Sequence, residues 1–367
     1  MNKFIPVVFW MRAISCLGIV MIHSISITLS NNPNLVKNEW PTYLQVYLMF
    51  ATPMFVFITE FLTAYKYGDT LKEGFFKKRL IILGIPYVLF NIFWTFSKYD
   101  SANFVEFINN FMHVSIRGYS VTYFIVIIFQ FYILHYLFAK YLKNIKPLPI
   151  IIGSIILTSI YWSIRLRFPA PDNMFGQLVW GKEGQTIFLG WLTYFLLGYY
   201  IGKNYTAFKN SVQKYTVPII SLLVFSIIFV YYIHTSGFNS AIGSKRIDTP
   251  IYTTSIILVF FLLSSWFTYV PKFILFISNF SFSIYLMHLI FLNKMTMLSE
   301  IVYLDILYKF IVAVCLSVAV SYLFNLSKYG KYFVGNVNSL THYELHKYRN
   351  TNNSTNKTLD SVGSNSI

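Results

Sequence analysis

The sequence predicts an all-α fold, a polytopic membrane helix bundle of about ten transmembrane helices, and three observations carry that expectation. Of its 367 residues, 56% are hydrophobic and 20% aromatic while 11% are charged, against about 25% charged in a soluble domain. Apolar runs long enough to cross a hydrocarbon layer, which takes roughly 20 helical residues, recur along the whole chain. The lysines and arginines that set the net charge of +16 stand in short clusters between those runs. That is the pattern of membrane topology, not of a groove for nucleic acid.

In chain order the runs lie at about 6–29, 44–65, 80–97, 119–139, 148–165, 185–202, 216–234, 250–270, 273–293 and 303–325, with the boundary around Pro271 the least sharply marked. Ten crossings put both termini on one side. With the N-terminus inside, nineteen of the 29 basic residues fall in the cytoplasmic set and ten in the outer one, so the positive-inside rule places both termini in the cytoplasm of a multi-pass cell-membrane protein. The outer loops at 98–118 and 166–184 are too short for a further domain. Two units follow: a membrane-embedded domain over 1–333, and a polar cytoplasmic tail over 334–367, rich in Asn, Ser and Thr and expected to be disordered over its last twenty residues. No small-residue cleavage site follows the first run, which is therefore expected to be retained. Cys16 and Cys315 lie in apolar segments without metal-ligand spacing, so neither a disulfide framework nor a metal site is expected.

Chemistry is sought in the ionisable groups that the spans contain, because such groups are costly in lipid and usually face a protein interior or a wet cavity. Arg12 and His23 are eleven residues apart in the first run. At about 100° per residue they return to within roughly 20° of one direction and are separated by about 16 Å along the axis. The plainer alternative makes Arg12 a snorkelling anchor and His23 an interhelical contact. Glu60 lies roughly 8 Å inside the second span and needs a cation, for which Arg12 and Arg79 are the candidates. Structural pairing is its expected role. Arg79 opens the third span, with Pro86 seven residues on, where a proline bends the axis. His288 comes out about 22 Å from the cytoplasmic face, the same depth as His23, and two imidazoles at one level suggest a shared polar site. His113, His135, His234, His342 and His346 fall in loops, near helix ends or in the tail, and need no functional explanation. Tyr119, Tyr123, Trp191 and Tyr194 are candidates for stacking on sugars, or ordinary interfacial aromatics. Arg165 and Arg167 either meet an anionic glycan or end a helix. No nucleophile elbow, phosphate loop or zinc motif is present.

Taken together, Arg12-x10-His23, Arg79-x6-Pro86, the stretch Gly190-Trp191-Leu192-Thr193-Tyr194-Phe195-Leu196-Leu197-Gly198-Tyr199 and Ser283-Ile284-Tyr285-Leu286-Met287-His288 resemble the multi-spanning acyltransferase family 3. Tyr123-Phe124-Ile125-Val126 and Gln130-Phe131-Tyr132 narrow the resemblance to members associated with poly-N-acetylglucosamine and intercellular adhesion. The resemblance implies transfer of an acyl group from cytoplasmic acyl-CoA, as donor substrate with no tightly bound cofactor, to a hydroxyl of a cell-surface glycan or its lipid-linked precursor. Arg12 and Arg79 would then hold the anionic CoA, His23 would act as general base or pass the acyl group on, and His288 would assist or orient. Cys16 is a geometrically possible relay. Membrane lipids surround the protein, a glycan synthase is an expected partner, and nucleic acid is not. Thr59-Glu60 departs from the Ser-Gly of many members, and no extracellular transfer domain is appended. The competing class is export of a surface polysaccharide without chemistry, and a third is a scaffold for a glycosyltransferase. Few polar groups lie within the spans, which suits a slot for pantetheine better than a wide sugar path.

Overall fold

The structure, a computed structural model, describes residues 4–31, 40–115, 122–267, 269–335 and 337. Tyr119, His342, His346 and nearly all of the expected tail lie outside the described residues. Among those described the chain is helical, without a strand, and nine helices are long and apolar enough to cross a membrane.

The helices are α1 (Pro6–Asn31), α2 (Trp40–Leu48), α3 (Ala51–Tyr67), α4 (Phe75–Arg79), α5 (Ile85–Lys98), α6 (Phe104–Ser115), α7 (Tyr123–Leu142), α8 (Pro147–Arg167) and α9 (Met174–Trp180). They continue with α10 (Leu192–Lys203), α11 (Tyr205–Ser211), α12 (Thr216–Thr235), α13 (Thr249–Trp266), α14 (Lys272–Leu292), α15 (Val302–Asn325) and α16 (Lys331–Val334). The side of the bundle holding the start of α1 is called the near face here, and the opposite side the far face.

Two of the expected spans are interrupted, each for a local reason. Pro53 has no N–H to give the carbonyl four residues before it, and the second span divides at Met49 and Phe50 into α2 and α3. Pro86 acts likewise in the third span, where α4 passes into α5 through a wider turn over Leu80–Gly84, with Ile85 N–H donating to the Leu80 carbonyl five residues back. Such one-turn bulges bend a helix without leaving its backbone unpaired.

The expected run at 185–202 is built in pieces. Short 3-10 turns over Glu183–Thr186 and Phe188–Trp191 lead into the twelve-residue α10. Gln130 of α7 spans the gap: its side-chain amide donates to the Thr186 carbonyl at 2.7 Å and accepts from Phe188 N–H at 2.9 Å. Irregular backbone at membrane depth is tolerated where protein satisfies it in this way. The segment still runs the length of α7, since Trp191 meets Tyr123 at one end while Tyr199 and Tyr200 donate to the carbonyls of Ala139 and Leu142 at the other. Among the described residues it is thus as long as a neighbouring span without being one of the nine continuous spanning helices.

The core is a layer of aromatic and aliphatic side chains between α3, α7, α10 and α13, with Phe57, Phe61, Phe131, Phe195 and Phe261 at its centre. The α3 and α10 backbones approach closely because α10 carries Gly198 and Gly202 four residues apart. A methyl on Gly202 would stand 2.4 Å from the Phe61 carbonyl oxygen, and one on Gly198 2.9 Å from the Glu60 Cβ. Small residues at this spacing let membrane helices touch. Helix α1 runs through the middle, packed on α2, α3, α13, α14 and α15, and between Ile5 and Ile25 none of its residues is exposed.

Candidate functional site

Helix α1 carries the site because its period puts Arg12 and His23 on one side and the bundle covers that side with α7 and α14. Arg12 is half-buried and lies within electrostatic reach of Arg79 and of Tyr132 on α7. The Arg79 guanidinium stands over the rings of Phe75 and Tyr132, 5.2 and 5.3 Å from their centroids. Cation–π contact of this kind holds a guanidinium without neutralising it. No carboxylate pairs with either arginine among the described residues. Two cations thus share the near-face half of the site with their charge left to act on a ligand.

Next to them, in the same α4 segment, Lys77 and Lys78 line a cavity of about 350 Å³ with Ile81, Ile82, Lys331 and Tyr332. The last two residues come from α16, which is tied to α14 by the Ser283 hydroxyl donating to the Val334 carbonyl at 2.6 Å.

The far-face half is formed by the two histidines that the sequence placed at one depth. The His23 and His288 rings lie 5.2 Å apart, centroid to centroid, at 41°. His288 is fully buried, and its Nδ1 is 3.0 Å from the Ile284 carbonyl oxygen. A carbonyl can only accept, so Nδ1 carries the hydrogen and the lone pair of the neutral ring is on Nε2. That Nε2 has no hydrogen-bond partner among the described residues. His23 keeps accessible surface. Tyr285 adjoins His288 at 5.8 Å and packs edge-on against Phe124 at 4.3 Å, closing α14 onto α7 above the α1 face. Cys16 donates to the Ser281 carbonyl at 3.6 Å and is buried, a structural contact between α1 and α14.

Glu60 corrects the expectation that it pairs with Arg12 or Arg79. Its partner is His135 on α7: Glu60 Oε1 and His135 Nδ1 are 2.6 Å apart, with both side chains buried. Helix α3 turns Glu60 toward α7 and α10, because Gly198 leaves room over its Cβ. His135, set aside in the sequence as a helix-end residue, is thereby a core residue. The rule that a buried carboxylate needs a partner could have found it, since His135 too lies within an apolar run, at 119–139.

Other polar residues are structural. Arg165 ends α8 by donating to the Trp180 and Gly181 carbonyls at 3.1 and 2.7 Å, and Arg167 caps Phe238. Asp305 ties α15 to α1, accepting from Thr28 at 2.7 Å and from Leu298 N–H at 2.9 Å, with Lys309 one turn on as its ion-pair partner. At the near face Lys203 and the Tyr199 hydroxyl bond Asp69. Burial alone would raise that carboxyl, but these two donors hold it below its ordinary value. No cluster of ligands suited to a metal ion occurs among the described residues.

Within an apolar bundle the site thus holds Arg12 and Arg79 toward the near face and, about 16 Å along α1 from Arg12, His23 facing His288 of α14. Comparison with known proteins gives the family. The chain is 33% identical over 348 residues to YfiQ of Bacillus subtilis (strain 168), named a membrane-bound acyltransferase, covering 90% of this chain and 94% of that protein. It is 28% identical over 333 residues to a Staphylococcus aureus (strain N315) protein named a poly-β-1,6-N-acetyl-D-glucosamine export protein, covering 87% and 93%. The corresponding Staphylococcus epidermidis protein is 28% identical over 331 residues, covering 84% and 89%. No solved structure matches the chain. The family model described as "Acyltransferase domain" matches residues 8–326, and the chain belongs to that family, acyltransferase family 3.

Proposed function

We propose that this protein is an integral membrane acyltransferase that moves an acyl group from acyl-CoA at the near face, in the cytoplasm, to a hydroxyl of a cell-surface polysaccharide sugar at the far face. The observation that carries this reading is the meeting of His23 and His288 on the same side of α1 as Arg12. The excess of basic residues in the near-face loops supports a cytoplasmic near face and cytoplasmic termini. Arg12 and Arg79 hold the phosphates of CoA, with Lys77, Lys78 and Lys331 at the mouth, and the pantetheine arm extends along α1. His23 takes the proton of the acceptor hydroxyl as its oxygen attacks the thioester carbonyl carbon. The carbon–sulfur bond breaks, and the proton passes to the departing thiolate, releasing CoA. His288, its tautomer set by Ile284, accepts a hydrogen bond at Nε2 and orients its neighbour. An imidazole suits the task because its ordinary pKa near 6.5 lets it take and return a proton near neutrality. A membrane glycan synthase supplies the acceptor chain.

The staphylococcal relatives' names favour a second reading, export of the polymer without chemistry. Mass analysis of the surface polysaccharide, with and without the protein, separates the two. Loss of acyl substituents from a polymer that still reaches the surface supports transfer. Loss of surface polymer with unchanged substitution supports export.

A further inference from the structure

The far-face loop 236–248 carries two basic residues side by side with opposite surroundings. Arg246 is buried and fully engaged: it donates to both oxygens of Asp248, at 2.9 and 2.6 Å, and to the carbonyls of Asn239 and Ala241. These bonds already hold the loop in its fold. Lys245 points into the bundle, where its ammonium lies 4.4 Å from the centroid of the Tyr123 ring and donates to the side-chain oxygen of Gln185. No carboxylate pairs with it among the described residues. Burial pushes this ammonium down to about 8, and the charges of Arg165 and Lys182 add to the effect. A half-buried cation whose polar partner is a neutral amide carries a desolvation cost, and the loop does not need it for its shape.

What Lys245 overlooks is a run of rings. Trp191 meets Tyr123 at 6.2 Å, the Tyr123 hydroxyl lies within hydrogen-bonding reach of Ser244 and Thr52, and Tyr285 is close enough to feel Tyr123 electrostatically. Tyr285 adjoins His288, and His288 adjoins His23. Trp191 and Tyr285 are buried supports, and Tyr123 is the ring that keeps accessible surface beside Lys245; an aromatic face packs on the apolar face of a sugar ring, and a partly desolvated ammonium next to it attracts an anion.

We propose that Lys245 is the recognition point for a negatively charged acceptor, a sugar bearing a carboxylate or a phosphate, which meets the half-buried Tyr123 ring with its reacting hydroxyl toward His23. This rests on the acyl-transfer reading for the identity of the bound sugar as acceptor, but the anion site can be tested without transfer. The protein is placed in lipid nanodiscs without donor, and binding is followed by tryptophan fluorescence for three oligosaccharides of equal length: neutral N-acetylglucosamine oligomer, a uronate-bearing oligomer and a sugar-phosphate-bearing oligomer. At least one charged oligomer is expected to bind tenfold or more tightly than the neutral one, and the larger advantage identifies carboxylate or phosphate as the source. Lys245→Met is expected to bring the charged-to-neutral ratio to about one, Lys245→Gln to do the same, and Lys245→Arg to keep it. A wild-type ratio near one, or a ratio unmoved by Lys245→Met and Lys245→Gln, overturns the proposal. A preserved ratio in a protein that shows no His23-dependent transfer would remove the enzyme reading and leave the anion site standing.

Discussion

His23 and His288 face each other at 5.2 Å across the α1–α14 interface, and the ring that is fully buried is the one whose tautomer the backbone fixes. The half-buried His23 ring is the one of the two that keeps accessible surface, which is why the proposed transfer assigns it the proton of the acceptor. His23→Ala is expected to lower acyl transfer by at least about a hundredfold, the range for loss of a general base, while the protein still inserts and elutes as a single species. His288→Ala removes the orienting partner and is expected to cost less. Donor-dependent acylation measured beside size-exclusion profiles checks both, and undiminished transfer by His23→Ala would exclude it from the chemistry.

Arg12 stands about 16 Å along α1 from His23, and neither it nor Arg79 is paired with a carboxylate among the described residues. In the proposed transfer their part is donor binding, and on that reading Arg12→Met and Arg79→Met are each expected to raise the KM for acyl-CoA about tenfold to a hundredfold. That is the loss of one charge-assisted hydrogen bond of about 1.5–3 kcal/mol. The KM for the acceptor should stay within a factor of about two. A change confined to the acceptor KM would place the arginines elsewhere in the cycle.

The reach of the sequence can be judged from these residues. The placement of His23 was legible because helical period puts it on one face of α1 with Arg12 and span length puts it at one depth with His288, whose ring it meets. The spans were legible because hydropathy over roughly 20 residues is a strong signal. The broken segment before α10 was not, because its continuity depends on Gln130, a residue on another helix that satisfies Thr186 and Phe188. The partner of Glu60 was missed for a related reason. Depth in the membrane makes Arg12, Arg79 and His135 all admissible, and only the close α3–α10 approach through Gly198 turns the carboxylate away from the arginines. Lys245 was counted as one more loop cation, since nothing in a sequence tells that a loop folds inward.

The Glu60–His135 pair gives a prediction about stability. Both side chains are buried, and Glu60 Oε2 and His135 Nε2 have no further partner among the described residues. Removing one member leaves the other unpaired, which costs about 3–5 kcal/mol, whereas apolar replacement of both is often neutral. Glu60→Met and His135→Leu are each expected to lower the melting temperature in detergent by several degrees, and the double variant to regain most of the loss. Additive losses in the double variant would show that the two residues do not act as a pair.

Lys245 predicts a dependence on pH whose sign follows from its surroundings. Its ammonium titrates near 8 in the folded protein and near 10.4 in an unfolded chain, so between those values the unfolded chain binds more protons. Stability therefore rises with pH across that window. The groups that set this are Tyr123 on α7, Gln185 before α10, Arg165 on α8 and Lys182. Below pH 8 the folded protein carries the cost of holding the charge in this half-buried place, at most about 1.4 kcal/mol for each pKa unit of lowering. Lys245→Met lacks that charge and is expected to melt higher than the wild type at pH 7, with the advantage shrinking steadily from pH 8 to pH 10. Binding of an anionic sugar should change in the opposite direction and weaken as pH rises through 8, because the deprotonated amine no longer attracts it. Melting curves and the oligosaccharide binding series, run on the same preparations, check both trends. A Lys245→Met protein that melts lower than the wild type at pH 7 would mean that this lysine holds the loop together, and the recognition role would lose its physical basis.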